Sequence, residues 1–92
     1  MDEKEELKQL ELSSINMMSR DYKVRFVAEY VQLKIRADKL ERMLYAWDEG
    51  RLSFTPTNPK RLLQRQLRVM REYEEILETR ARIEDIVLPL QE

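Results

Sequence analysis

Residues 26–47 read FVAEYVQLKIRADKLERMLYAW, and residues 62–83 read LLQRQLRVMREYEEILETRARI. These stretches decide the fold, because mostly apolar side chains recur in both at alternating intervals of four and three residues, which places them on one face of a helix. The positions are Phe26, Tyr30, Leu33, Ala37, Leu40, Leu44 and Trp47, then Leu62, Gln66, Val69, Tyr73, Ile76, Arg80 and Ile83. The sequence therefore predicts an all-α protein whose two long helices pack along these faces as an antiparallel hairpin.

Capping residues and helix breakers set the expected bounds of these helices. Ser19 is the candidate N-cap of the first long helix, and Gly50 is the residue best suited to end it. Asn58 followed by Pro59 combines a capping side chain with the preferred first helical residue, so the second helix should begin there. The predicted divisions are an N-terminal segment with a short helix (1–19), a hairpin domain with helices over about 20–48 and 59–86 (20–86), and a C-terminal tail (87–92).

Composition excludes most catalytic and metal-binding classes. The 92 residues include neither cysteine nor histidine, so the sequence offers no disulfide, thiolate nucleophile, zinc finger or imidazole base. We therefore expect no enzyme, no metal and no cofactor. No apolar run is long enough for a membrane span and residues 1–20 lack the pattern of a signal peptide, so we expect a cytosolic protein.

The first long helix carries a second apolar face, which one partner helix would not cover. Val24, Val27, Val31 and Ile35, here called the valine face, lie opposite the hairpin contact. Either the N-terminal segment folds over them or copies of the hairpin pack together. We expect a homo-oligomer, because so weak a segment cannot easily cover both this face and the widened apolar arc of the second helix. The predicted interface residues are Val24, Val27, Val31, Ile35 and Met70.

Cations cluster in two places where an anion would be stabilised. Residues 60–71 contain five cations and no acid, at the amino end of a helix where the macrodipole already supplies positive potential. On the first helix Arg25, Gln32, Arg36 and Lys39 share one flank. The formal net charge of −1 gives no overall attraction to anions, so binding depends on these clusters. The simpler interpretation is that the cations only keep the hairpin soluble.

Two strings also carry a family resemblance. YKVRFVAEYVQLKIRADKLERML, residues 22–44, and NPKRLLQRQLRVMREYEEILETRARIE, residues 58–84, resemble the anti-CBASS and anti-Thoeris sponge family of small phage-encoded helical hairpins. The resemblance covers about two thirds of the chain and leaves out residues 1–20 and the loop. It rests on Tyr22, Arg25, Glu29, Leu33, Arg36, Lys39 and Leu40, and on Leu62, Gln66, Met70, Tyr73, Leu77 and Arg80.

The resemblance implies a non-catalytic protein in the cytoplasm of an infected bacterium. It would assemble into trimers or hexamers and trap a cyclic di- or trinucleotide, or a cyclic ADP-ribose isomer, so that the immune effector receives no signal. The implied ligand residues are Tyr22 as the ring that stacks on a base, Arg25, Arg36 and Lys39 as phosphate partners, and Gln66 as a base or ribose contact. Arg65 joins this candidate site from charge placement alone.

A different class of function also fits the sequence. A structural or adaptor hairpin would bind a helix of a protein partner through the valine face, and its cations would merely be solvated. Nucleic-acid binding through residues 60–71 fits less well, because the acids of residues 72–78 follow immediately and would meet the phosphate backbone.

Overall fold

The computed structural model describes residues 1–90 and contains three α-helices, with no strand in that range. They are α1 (Glu3–Asn16), α2 (Tyr22–Asp48) and α3 (Lys60–Glu84). The all-α prediction is confirmed, and the short N-terminal helix is present. Within residues 1–90, no helix is both long enough and apolar enough to cross a membrane.

The caps of the two long helices differ from the predicted ones. The Asp21 side chain caps α2 by accepting a 2.9 Å hydrogen bond from the Lys23 N–H. Ser19 instead accepts a 3.1 Å bond from the Asp21 N–H, so the predicted cap lies two residues too early. Pro59 occupies the N-cap of α3 in extended backbone, and no side chain caps that end. The predicted roles of Asn58 as the cap and Pro59 as the first helical residue are therefore wrong.

The carboxyl ends of α2 and α3 both use left-handed backbone. Gly50 adopts a φ of 70° directly after α2, in agreement with its predicted role. Asp85 adopts a φ of 56° after α3, which ends two residues before the predicted Ile86. The Ile86 N–H then donates a 2.8 Å hydrogen bond to the Ala81 carbonyl, and the Ile86 side chain is buried in the core. Of the predicted tail 87–92, residues 91 and 92 lie outside the described range.

Polar contacts link α2 to α3 in reverse order of sequence, which is the order of antiparallel helices. The pairs are Tyr22 with Glu84, Tyr30 with Glu78, Lys34 with Glu74, Asp38 with Arg71, and Asp48 with Lys60. Between the helices lies a core of Phe26, Tyr30, Leu33, Leu77, Ala81 and Ile86. Leu88 folds back against the same core.

The face that α3 presents to α2 is not the predicted one. The buried residues of α3 are Glu74, Leu77 and Ala81. The residues one position before the contacting face are exposed, among them Val69, Tyr73 and Ile76. One residue is 100° of helical rotation, so the predicted face of α3 points outward. The correction applies to Leu62, Gln66, Val69, Tyr73, Ile76, Arg80 and Ile83, all of them exposed.

α1 packs against α2 on the side away from α3. The Gln32 amide donates to the Leu10 carbonyl at 3.1 Å and to the Ser13 hydroxyl at 2.8 Å, and further along α2 Arg42 pairs with a carboxylate of α1. Val31 and Ile35 flank Gln32 on α2 and are only 4% and 1% exposed. Contrary to expectation, α1 rather than a second copy covers these two members of the valine face. Val24, Val27 and Met70 remain half-buried.

We predict that Leu77→Ala destabilises the fold by about 2–5 kcal/mol, because it leaves a cavity where a fully buried side chain packed. Leu7→Ala is the matched control, since Leu7 is 57% exposed and its truncation should change the free energy of unfolding by no more than about 0.5 kcal/mol. Urea denaturation of both variants measures the difference. Equal effects would contradict the packing described for α3.

The stability of the fold should fall above pH 10 because of Tyr30. Burial, together with a 2.6 Å hydrogen bond to Glu78, raises the pKa of this phenol well above its ordinary value near 10. The folded state keeps the proton after the unfolded state has lost it. Tyr30 therefore contributes stability that is complete below pH 10 and is lost as the pH rises above 10, at up to about 1.4 kcal/mol per pH unit.

Urea unfolding between pH 9 and pH 11 tests this dependence. Tyr30→Phe should flatten the decline with pH even though it lowers stability at neutral pH, and Tyr45→Phe, at an exposed ring, should leave the decline as in the wild type. An unchanged decline in Tyr30→Phe would assign the effect to other groups.

Candidate ligand-binding groove

A groove of about 460 Å³ runs along α2 between α1 and α3. Its floor is formed by side chains of α2, and the two other helices form its walls. The lining residues are Glu29, Gln32, Leu33 and Arg36 of α2, Ser14 of α1 and its C-cap Met17, and Met70 and Tyr73 of α3.

The floor of the groove follows from the way α2 is covered. α1 covers one side of α2 and α3 covers another, so a strip between them stays open. Tyr22, Arg25, Glu29, Gln32 and Arg36 succeed one another along that strip at intervals of three or four residues. This spacing aligns them along one flank of α2, and the strip is rich in polar side chains because neither neighbouring helix buries it.

Arg36 is the positive charge of the groove. It is exposed, and it takes part in none of the ion pairs found among residues 1–90. The neighbouring Gln32 amide is engaged by α1, so it fixes the wall of the groove. A guanidinium without a carboxylate partner can bind a phosphate through two parallel hydrogen bonds.

Tyr73 and Glu29 face each other across the groove. The Tyr73 hydroxyl donates a hydrogen bond to the Glu29 carboxylate, which holds the ring at the α3 wall, and Tyr73 is 39% exposed. Met70 lies one turn earlier on the same wall. An aromatic ring and a methionine side chain offer a flat, polarisable surface, on which a planar ring system can stack.

Tyr22, the predicted stacking ring, lies beyond the groove at the end of α2. Its hydroxyl donates a 2.8 Å hydrogen bond to Glu84 and accepts one of 3.0 Å from Arg80. The bond to Glu84 raises the Tyr22 pKa, because it stabilises the protonated phenol. The Arg80 guanidinium also stacks on the Phe26 ring, at 4.9 Å from its centroid. Tyr22 therefore belongs to a polar cluster that joins the amino end of α2 to the carboxyl end of α3.

The structure separates the other predicted ligand residues from one another. Arg25 donates a 2.8 Å hydrogen bond to the Ser19 carbonyl, and Lys39 lines a different pocket, beside Glu6 and Arg42. Arg65 and Gln66 are exposed on α3. Gln66 lies two turns before Tyr73 on the same face, but it does not line the groove. Among the predicted ligand residues, Arg36 is the one that lines the groove.

Two of the five cations in residues 60–71 are neutralised within the chain. Lys60 pairs with Asp48 and lies over the Trp47 ring, 5.1 Å from its centroid. Arg71 pairs with three carboxylates, those of Asp38, Glu41 and Glu74. Burial disfavours the charge of Arg71, but these carboxylates outweigh burial and raise its pKa. The amino end of α3 is therefore less available to an anion than the sequence indicated.

The α3 wall of the groove has no ligand role among the predictions. Tyr73 was predicted to lie in the contact between the helices, although Tyr73, Met70 and Glu29 all belong to the family pattern. The signal that could have identified them is the second apolar stripe of α3, one residue out of phase with the first. That stripe includes Leu63, Leu67, Met70 and Leu77.

Comparison with known proteins identifies a family. A family model described as Sequestin matches residues 20–83, which include both strings of the resemblance except Glu84. The resemblance to sequestering proteins is therefore confirmed. No curated protein matches the chain, and no solved structure does.

We predict that Gln32→Leu loosens α1 and with it one wall of the groove. The substitution removes the hydrogen bonds that the Gln32 amide donates to Leu10, Ser13 and Ser14, at a cost of about 1–3 kcal/mol. Native-state hydrogen exchange should then be roughly tenfold faster or more in the amides of α1 than in the wild type. Amides in the middle of α3 serve as the internal reference, and equal acceleration there would indicate global unfolding instead.

Proposed function

Because this chain belongs to the Sequestin family, we propose that it is a non-catalytic phage protein that sequesters a cyclic nucleotide second messenger. The messenger is one that signals in bacterial anti-phage defence, of the CBASS or Thoeris type, and its capture prevents activation of the effector. The protein acts in the cytoplasm of the infected host. The family name supports sequestration of a signal, and the groove supports the chemical class of that signal.

The observation that carries the proposal is that Arg36 and Tyr73 line the same groove. Cyclic nucleotides combine a phosphate with a planar base, so their site needs a cation and a stacking surface in one cavity. Arg36 takes part in no ion pair among the described residues, and the wall of Tyr73 and Met70 provides the surface.

Glu29 makes one end of the groove negative, whereas Arg36 makes the other end positive. Its carboxylate lies beside Tyr73 and would repel a phosphate bound there. The same carboxylate can accept a hydrogen bond from the amino group of a purine. We therefore place the phosphate at Arg36 and the base against Tyr73, with Glu29 as a contact that selects the base.

Self-association is part of this proposal. The groove volume of about 460 Å³ lies within the range of small-ligand sites, but such sites usually bury most of their ligand. The trimer or hexamer that the resemblance implies would supply the missing wall from a second copy. Arg25, Lys39 and Gln66, which lie outside the groove of one chain, would then reach the ligand only from a neighbouring copy.

The adaptor hypothesis loses its proposed surface. It required a valine face open to a helix of a protein partner, whereas Val31 and Ile35 are buried within the chain. A partner helix would have to displace α1 and break the hydrogen bonds of Gln32.

A ligand panel tests the proposal. Purified protein is mixed with cyclic dinucleotides, cyclic trinucleotides and cyclic ADP-ribose isomers, and the change in melting temperature is recorded. A ligand at 100 times its dissociation constant should stabilise the folded state by about 2.7 kcal/mol. Ligand recovered after heat denaturation should have an unchanged mass, because capture does not involve chemistry.

Arg36→Glu should abolish the stabilisation, because it places a carboxylate where the phosphate binds. Lys8→Glu makes the same change of charge at an exposed residue of α1 and should bind as the wild type does. Absence of stabilisation by every ligand would refute the proposed function. If Arg36→Glu is stabilised by the ligand as the wild type is, the ligand binds outside the groove.

A further inference from the structure

α3 carries a row of large apolar side chains that no part of residues 1–90 covers. The row is called the outer stripe and includes Tyr73, which also lines the groove. Its members and their exposed fractions are Leu62 (51%), Val69 (52%), Tyr73 (39%), Ile76 (58%) and Ile83 (78%). Apolar residues exposed singly need no explanation, but five on one face of a helix, interrupted only by Gln66 and Arg80, indicate a contact with another molecule.

The spacing of the outer stripe is that of a helix–helix contact. Leu62, Val69, Ile76 and Ile83 follow one another at intervals of seven residues, and Tyr73 lies at the alternating position between two of them. A heptad repeat of this kind keeps one face of a helix against a partner helix over several turns. The face of α3 that contains Leu77 and Ala81, about 100° of helical rotation away, is already packed against α2. The stripe therefore fits a second partner helix.

The charges beside the stripe select the direction of that partner. The first half of α3, residues 60–71, carries five cations and no acid, whereas the second half, residues 72–84, carries five acids against the two cations Arg80 and Arg82. The exposed Arg61, Arg65, Arg68, Glu72, Glu75 and Arg82 form no ion pair among residues 1–90. A parallel copy of α3 would bring like charges together. An antiparallel copy would bring the basic half of each helix to the acidic half of the other.

We propose that the outer stripe is the contact with a second copy of this chain, packed antiparallel about a twofold axis near Tyr73. The contact is the same patch on both copies, so it closes on itself and does not propagate into a filament. This inference rests on the proposed function only for its premise of self-association and specifies the surface involved. That surface differs from the predicted interface of Val24, Val27, Val31, Ile35 and Met70.

Substitution within the stripe tests the contact. Ile76→Glu should weaken self-association roughly 100-fold or more, because each dimer then places two carboxylates within an apolar contact. Ile15→Glu on α1 is the matched control, since Ile15 is 59% exposed and Ile76 is 58% exposed. Analytical ultracentrifugation over a concentration series measures the association, and circular dichroism verifies that both variants remain folded.

The outcomes separate this inference from the proposed function. A monomeric wild type, or equal weakening by Ile15→Glu and Ile76→Glu, would overturn the stripe as the contact. Equal weakening leaves ligand capture untouched, whereas a monomeric wild type would also remove the wall that a second copy supplies to the groove. Capture itself is tested separately by the Arg36→Glu experiment. Selective weakening by Ile76→Glu would support the stripe even if no cyclic nucleotide bound.

Cross-linking tests the direction of packing in a sequence without a native cysteine. Glu72→Cys places a thiol near the proposed axis and should form a disulfide between copies under mild oxidation. Arg61→Cys and Arg82→Cys, near opposite ends of α3, should each cross-link poorly alone and readily when mixed. Efficient cross-linking of Arg61→Cys alone would indicate parallel packing and overturn the proposal.

Discussion

The arrangement of the three helices follows from the need to bury two apolar sides of α2. α2 carries Phe26, Tyr30 and Leu33 on the side that packs against α3, and Val31 and Ile35 on the side that packs against α1. Two covering helices leave an uncovered strip between them. Because that strip is solvated, its side chains are free to be polar, and the groove with Arg36 occupies it. The binding surface is thus a geometric result of how the core is covered.

Pairing of charges within the chain decides which cations remain for a ligand. Glu74 is buried beside α2, and Lys34 and Arg71 pair with it, so those two cations serve the fold. Lys60 is likewise held by Asp48. Arg36 is free of such pairing among residues 1–90, although by sequence alone it is no more basic than the others. The cluster in residues 60–71 was conspicuous in the sequence, but the groove depends on one arginine outside it.

Sequence reasoning identified the helices but mistook the rotation of α3. Both helix lengths and the role of Gly50 followed from local rules, because backbone conformation at those positions depends on nearby residues. The second apolar stripe of α3 indicated the other rotation, but the true contact face also includes the charged Glu74, whose burial depends on Lys34 of α2 as well as on its neighbour Arg71. For the same reason Tyr73 was assigned to the core, when it lines the groove. The docking of α1 depends on the Gln32 amide, which is not distinctive in a polar sequence.

The turn at Asp85 has a consequence for anyone who trims the chain. Ile86 and Leu88, which follow it, complete the core between α2 and α3. A fragment limited to residues 20–83, the span shared with the family, would lose both of them and the whole of α1. Val31 and Ile35 would then be exposed to solvent. Non-specific association through these apolar side chains would hide the specific self-association of the intact protein. The span that the family model matches is therefore too short to keep the fold described here.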